Sequence, residues 1–217
     1  METKPNSPRA TIRRKPQRGS YDRAVVHRIL DEGLVAHVGF AVDGMPYVIP
    51  MVYGRLGDEL ILHGAVASRM LKQGSTSVPM CATVTLIDGL VLARSWFHHS
   101  MNYRSVVVFG TSREITDRDE KLAALTVVVD HATPGRSRES RWPDDKELAA
   151  TRVIALPIEE ASAKQRIGGP LPDEGDDAAL PHWAGEIPLA LRATTPVADP
   201  SCAGVELPVS LRERWLR

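Results

Sequence analysis

Two cysteines in 217 residues, Cys81 and Cys202, far apart and without a C-x-x-C pair, argue against a disulfide framework and against a thiolate zinc site. An excess of either charge is missing too. Lys+Arg and Asp+Glu each number 27, so the overall balance points neither to nucleic acid nor to an anionic membrane surface, and any anion site has to be local. No run approaches the ~18 apolar residues of a membrane span. The N-terminal stretch "METKPNSPRATIRRKPQRG" lacks the apolar segment of a secretion signal, so a cytoplasmic location is expected. No Walker loop, G-x-G-x-x-G, G-x-S-x-G or H-E-x-x-H occurs. His98 and His99 are adjacent, which points their side chains apart in an extended chain, and no metal site is expected.

What the chain does have is ample apolar material, 43% of its residues, enough for one large core. The basic, Pro-rich residues 1–19 read as a disordered arm, 20–196 as the main domain and 197–217 as a C-terminal tail. Val25, Val26, Ile29 and Leu30 recur at helical spacing behind Ser20, the expected N-cap, and Gly33 offers a left-handed stop. Leu34, Ala36, Val38, Phe40 and Val42 alternate up to Asp43 and Gly44, a hairpin turn, and a second run follows in which Pro50 marks an edge or a bulge. A turn at Gly57 and Asp58 leads to "ELILH". Two runs about Asp88 and Gly89 and another in "SVVVFGTSREI" continue the pattern. Thr116 and Asp119 suggest a capping box for the helix in "DEKLAALTVVVDH", and "RVIALPI" reads as the last strand. Short strands joined by tight turns with few helices describe an antiparallel barrel.

Two stretches carry candidate chemistry. In "HGAVASRMLK", a strand ends at His63, small residues follow, and Ser68 and Arg69 open a helix with Lys72 one turn on. Hydroxyl, guanidinium and ammonium can converge there on a phosphate, or merely cap a solvated helix. In "WFHHSMNYRSVVVFG", the polar residues Asn102, Tyr103, Arg104 and Ser105 stand at the mouth of an apolar strand. They either meet a planar heteroaromatic ligand or cap a strand end facing water. His63 is a pocket base or a plain strand histidine. Lys164 and Arg166 in "SAKQRIGG" read as a solvated turn after a strand, and Trp183 is an aromatic placed to dock on something apolar.

The pieces "PYVIPMVYGRLGDELILHGAVASRMLK", "NYRSVVVFG", "EEASAKQR" and "HWAGEIPLAL", in that order, resemble the pyridoxamine 5'-phosphate oxidase-like FMN-binding split-barrel superfamily. Within it, the branch of the nitroimidazole-resistance proteins is the most similar. The resemblance runs from about Tyr21 to about Pro196 and implies a mainly β, Greek-key-like antiparallel split barrel with flanking helices. It further implies a homodimer with FMN at the subunit interface.

By that resemblance the strand of Pro50 and Tyr53 passes the flavin, and His63, Ser68 and Arg69, with Lys72, belong to the phosphate segment. Asn102, Tyr103, Arg104 and Ser105 meet the ring edge or the ribityl chain, and Trp183 returns over the cleft. The implied chemistry is hydride or electron transfer from NAD(P)H to a small planar acceptor. A non-catalytic store of FMN, or a heme protein using His63 or His99, is the alternative. Where pyridoxamine phosphate oxidases carry Arg-x-x-Leu-Leu-Lys this chain reads "VIPMVY", which argues against vitamin B6 oxidation, and Met70 stands in place of the usual Lys of the phosphate motif.

Overall fold

The computed structural model describes residues 4–5, 7–172, 175–202 and 204–215. Residues 1–3 and 6 of the expected arm, and 203 and 216–217 of the expected tail, lie outside the described residues. The chain is mainly antiparallel β with flanking helices, the class expected. It divides into two compact units, each assembled from separate stretches of sequence.

The first unit comprises Met1–Gly33, Thr83–Val108 and Glu160–Leu191. It begins with strand β1 (Gly19–Ser20) and helix α1 (Arg23–Glu32). Asp22, not Ser20, caps α1: its carboxylate accepts from the Ala24 amide at 2.9 Å. Ser20 is held elsewhere, in the β1 ladder opposite Ala163, and its hydroxyl accepts from the Asp22 amide. Val26, Ile29 and Leu30 form the buried stripe of α1. Gly33 ends the helix at φ −73°, extended rather than left-handed, because the chain runs on directly into a strand.

The later strands of this unit are most of β6 (Pro79–Leu92), most of β7 (Ser100–Thr111), β10 (Glu160–Arg166) and β11 (Gly185–Pro188). The order is β1-β10-β7-β6, with β11 on β6. Two expectations change here. Asp88 and Gly89 make no hairpin turn, since β6 runs straight through them for 14 residues. Gly89 is small because β11 crosses it, with Pro188 opposite. The stretch "EASAKQR" is a strand and not a turn, completed by β1 through Gly19 opposite Lys164 and Ser20 opposite Ala163. The arm, expected to be solvated, is attached as well. Arg9 is bidentate to Glu160 at 2.8 Å, Ala10 is buried, the Ile12 amide donates to the Tyr21 hydroxyl, and Lys164 donates to the Arg14 carbonyl. Ala10 and Ile12 are too short an apolar signal to stand out among the fifteen polar or proline residues from Glu2 to Arg18.

The second unit comprises Leu34–Ala82, Phe109–Glu159 and Arg192–Arg217. Strands β2 (Val35–Val42) and β3 (Met45–Val52) pair in register from Val35 opposite Val52 to Val42 opposite Met45. Asp43 and Gly44, both at positive φ, make the turn expected of them. A second sheet runs β4 (Gly54–Leu56), β5 (Glu59–Ala65), β9 (Thr151–Pro157), β8 (Arg113–Glu114). Helices α2 (Arg69–Gly74), α3 (Arg118–Ala132), α4 (Asp145–Ala150) and α5 (Val209–Trp215) complete the unit. Asp117 caps α3, where Thr116 and Asp119 were expected to, since its carboxylate takes two amides, those of Asp119 and Glu120. Ala124 and Val128 of α3 close a cluster with Ile61, Ile115, Val153 and Ala155.

Backbones approach closely where β7 meets β9. A Cβ on Gly110 would lie 2.3 Å from the Pro157 carbonyl oxygen, a backbone atom that cannot swing aside. Gly110→Ala is therefore expected to destabilise the protein by about 1–3 kcal/mol in urea unfolding, whereas Gly168→Ala, where a Cβ meets nothing within 4 Å, tests only the strain of a positive φ.

Candidate functional site

The candidate residues fall in both units: Pro50, Tyr53, His63, Ser68, Arg69 and Lys72 in the second, Asn102, Tyr103, Arg104, Ser105 and Trp183 in the first.

In the second unit, Pro50 lies on β3 opposite His37, and β3 has only β2 as a neighbour. Edge position is what lets one strand hold both Pro46 and Pro50 without an unmade ladder bond. Tyr53 is 1% exposed, its ring 4.6 Å from that of His131, so its side chain belongs to the core and only its backbone is left for a ligand.

Strand β5 brings His63 opposite Val153 to the wall of a cavity of about 320 Å³, lined further by Leu122, Leu125, Val129 and Trp142. Its Nδ1 is buried with no hydrogen-bond partner among the described residues. Burial pushes the imidazolium pKa down, so the ring is neutral at pH 7 with a lone pair to offer. His99 differs. Its Nδ1 accepts from the Ala93 amide at 2.9 Å, which puts the proton of the neutral ring on Nε2 and leaves no lone pair for a metal.

Ser68 precedes α2, but its hydroxyl makes no capping bond. With six residues α2 is too short for a strong dipole, so an anion here is held by side chains rather than by the helix terminus. Arg69 is exposed, and its guanidinium sits 5.2 Å from the centroid of Tyr47, whose ring in turn stacks on Phe40 at 5.4 Å. Lys72 is exposed in the last turn. No ion pair holds Arg69 or Lys72 among the described residues, so both charges remain available to a ligand. Phe40 and Tyr47 were missed in the sequence; both lie in strand-like alternation, where an aromatic reads as core.

In the first unit the polar knot resolves into two networks. Asn102, 2% exposed, donates to Glu186 at 2.6 Å and accepts from Arg166, which also donates to the Gly168 and Gly169 carbonyls. Arg104 is gripped by two carboxylates: Asp88 takes its Nε and Nη2 at 3.0 and 2.9 Å, and Glu32 takes Nη1. These pairs raise its pKa, the Asp88 bond foremost. Arg104 is thus a structural tie between α1 and β6, with little capacity left for a ring edge. Ser105 makes a long contact of 3.4 Å to the Lys164 carbonyl, and Tyr103 is half-buried. Trp183 is 64% exposed and folds back on Gly185, where a Cβ would meet its ring at 2.8 Å. Its ring is available to something other than its own core.

The Asn102 network makes a quantitative expectation. Asn102→Ala strips both a buried arginine and a carboxylate of their partner and should cost about 2–4 kcal/mol in chemical denaturation, whereas Ser105→Ala, losing one long contact, should change stability by less than about 0.5 kcal/mol.

Among the described residues no group of three or more His, Cys, Asp or Glu side chains is placed to hold a metal ion, and no helix is long and apolar enough to cross a membrane. The family profile described as pyridoxamine 5'-phosphate oxidase matches residues 22–165. Comparison with curated proteins finds no match. Among solved structures, the chain is similar to a flavocytochrome from Azotobacter vinelandii, with 38% identity over 95% of this chain and 96% of that one and a TM-score of 0.87. It is similar to an FAD and heme binding protein from Mycobacterium smegmatis, with 39% identity over 90% and 96% of the two chains and a TM-score of 0.84. A protein from Bacteroides thetaiotaomicron assigned to 5-nitroimidazole antibiotic resistance shares 25% identity over 67% and 85%, at a TM-score of 0.55. With two thirds of its length inside the family profile, the chain belongs to the pyridoxamine 5'-phosphate oxidase family.

Proposed function

We propose that this chain is a flavin-binding redox protein that also carries a heme. The observation that carries the reading is the neutral imidazole of His63, its Nδ1 unpartnered among the described residues, on the wall of a cavity of mixed lining, in a chain 38–39% identical to a flavocytochrome and to an FAD and heme binding protein. A cavity of about 320 Å³ lies at the small end of ligand pockets; Leu122, Leu125, Val129 and Trp142 give it an apolar wall for a macrocycle, and Ser137, Ser140, Arg141 and Glu147 line it as well. Because Nδ1 is sealed in, Nε2 is the ring nitrogen for an iron. Ser68, Arg69 and Lys72 fit the flavin phosphate: one uncapped hydroxyl and two cations without carboxylate partners. FMN is the flavin that one phosphate cluster serves; FAD, named for the mycobacterial relative, is the alternative that extraction of the cofactor decides.

When bound, a flavin would supply two-electron exchange with a reduced nicotinamide and a heme one-electron exchange, chemistry that suits transfer to a small acceptor. The protein's part would be to fix the phosphate and to hold the iron ligand neutral. The chain also acts as a homodimer in this reading: β3 carries no charged residue and exposes Met45, Val48, Ile49 and Val52, four apolar side chains on one edge strand.

The purified protein should show flavin bands near about 375 and 450 nm together with a Soret band, and NADPH should bleach the flavin under argon. His63→Ala should remove the Soret band and leave the flavin bands in place; a Soret band that survives the change assigns the iron to another ligand. An absorption spectrum that NADPH leaves unchanged would make the protein a store rather than an enzyme.

Arg69→Ala should weaken FMN about ten- to a hundredfold, through loss of a charge-assisted bond, and riboflavin far less. Titration of apo-protein with the two flavins measures it, and equal losses would move the phosphate away from Arg69.

Sedimentation should give a dimer, and Val48→Asp should shift it toward monomer without loss of secondary structure. A wild-type monomer that retains its flavin would refute the shared interface.

A further inference from the structure

Arg166 has a role that the sequence hid. It lies at the end of β10, only 6% exposed, and a buried guanidinium ordinarily sits against a carboxylate. Here its acceptors are the Asn102 amide oxygen and the Gly168 and Gly169 carbonyls, all uncharged. These use two protons of Nη1 and one of Nη2. Of the five N–H groups of the guanidinium, the Nε proton and one on Nη2 have no acceptor among the described residues. The nearest acid in the network, Glu186, is reached only through Asn102.

Arg166 lines a cavity of about 440 Å³, between residues 17–20 at the foot of the arm and residues 165–171. Arg18 lines the same cavity, and no hydrogen bond or ion pair holds its guanidinium among the described residues. The two charges feel each other: burial first, then Arg18, pulls the pKa of Arg166 down, with Glu186 opposing more weakly. The lining contains no Asp or Glu. Ser20 and Gln165 add neutral hydrogen-bonding groups, and Ile167 adds an apolar wall. Two cations, one of them buried, around a space with no acid among its described lining residues, leave a positive charge that a dianion complements.

We propose that this cavity, formed by Arg18, Arg166, Ser20, Gln165 and Ile167, is a binding site for an organic phosphate monoester. Guanidinium forks match the paired oxygens of a phosphate, two arginines balance its two negative charges, and the volume leaves room for the body of the ester beside Ile167. The site is independent of the flavin and heme reading, which rests on other residues. It also accounts for the attachment of the arm: the Arg9 to Glu160 pair and the β1 ladder bring Arg18 to the cavity.

Isothermal titration of the full chain with AMP, inorganic phosphate, succinate and adenosine tests the proposal. AMP should bind, inorganic phosphate more weakly, and adenosine not at all. Arg18→Gln, a half-exposed position with no structural bond to lose, should weaken AMP by about tenfold or more at an unchanged melting temperature. Arg166→Lys, which keeps a charge but loses the fork, should weaken it as well; should that variant fail to fold, Arg18→Gln alone decides. Arg69→Ala should leave AMP affinity as it was, so failure of the flavin assignment is told apart from failure of this one. No binding of AMP, succinate binding as tightly as AMP, wild-type affinity in Arg18→Gln, or a loss that follows Arg69→Ala instead would each overturn the proposal.

Discussion

The ladder between β5 and β9 is the constraint on which the second unit depends. Seven residue pairs, from Glu59 opposite Pro157 to Ala65 opposite Thr151, join stretches some ninety residues apart in sequence. Leu60, Ile61 and Leu62 on one strand, and Val153, Ile154, Ala155 and Leu156 on the other, are fully buried, so both faces of the pair are covered. At about 25 cal/mol per Å² of apolar surface this is where burial stabilises the unit most. The same register places His63 opposite Val153 at the cavity wall, and delivers Ser68 and Arg69 just beyond the end of β5. Chemistry and core are thus consecutive on one strand.

How each arginine is partnered separates frame from site. Arg104, between Asp88 and Glu32, and Arg113, between Glu59 and Glu120, have their charges neutralised and their pKa values raised by those carboxylates. They tie elements together. Among the described residues Arg69, Arg18 and Arg166 lack such partners: Arg69 rests over an aromatic ring, Arg18 meets no acid, and Arg166 is buried among uncharged oxygens. A cation left without a counter-charge in a folded protein is where an anionic ligand gains most, because the interaction does not first have to displace a carboxylate.

The antiparallel β class, the hairpin at Asp43 and Gly44, the buried stripe of α1 and the helical run from Arg118 were legible because each is written in local periodicity or turn chemistry. Misreadings had local causes too. Asp88 and Gly89 have the composition of a turn, yet the acid is there to hold Arg104 and the glycine to admit β11. The pairing of Arg104 was not legible, because its acidic partners lie 16 and 72 residues away, beyond any pattern in the chain. Arg166 was read as solvated because arginine usually is; its burial needs β1, Asn102 and the following glycines together.

By itself, then, the sequence determined which stretches alternate, the turn at Asp43 and Gly44, and the family to which those motifs in that order belong. Those properties follow from side-chain character and spacing along the backbone, and no distant contact is needed to express them. Only the tertiary structure decided which cations are neutralised and which are not, that the half-buried His63 imidazole is neutral, and that residues 17–20, at the foot of an arm expected to be solvated, line a cavity. The reason is electrostatic: the charge state and availability of a polar group depend on its desolvation and on its nearest partner in space, and in this fold those partners lie up to 151 residues away in sequence.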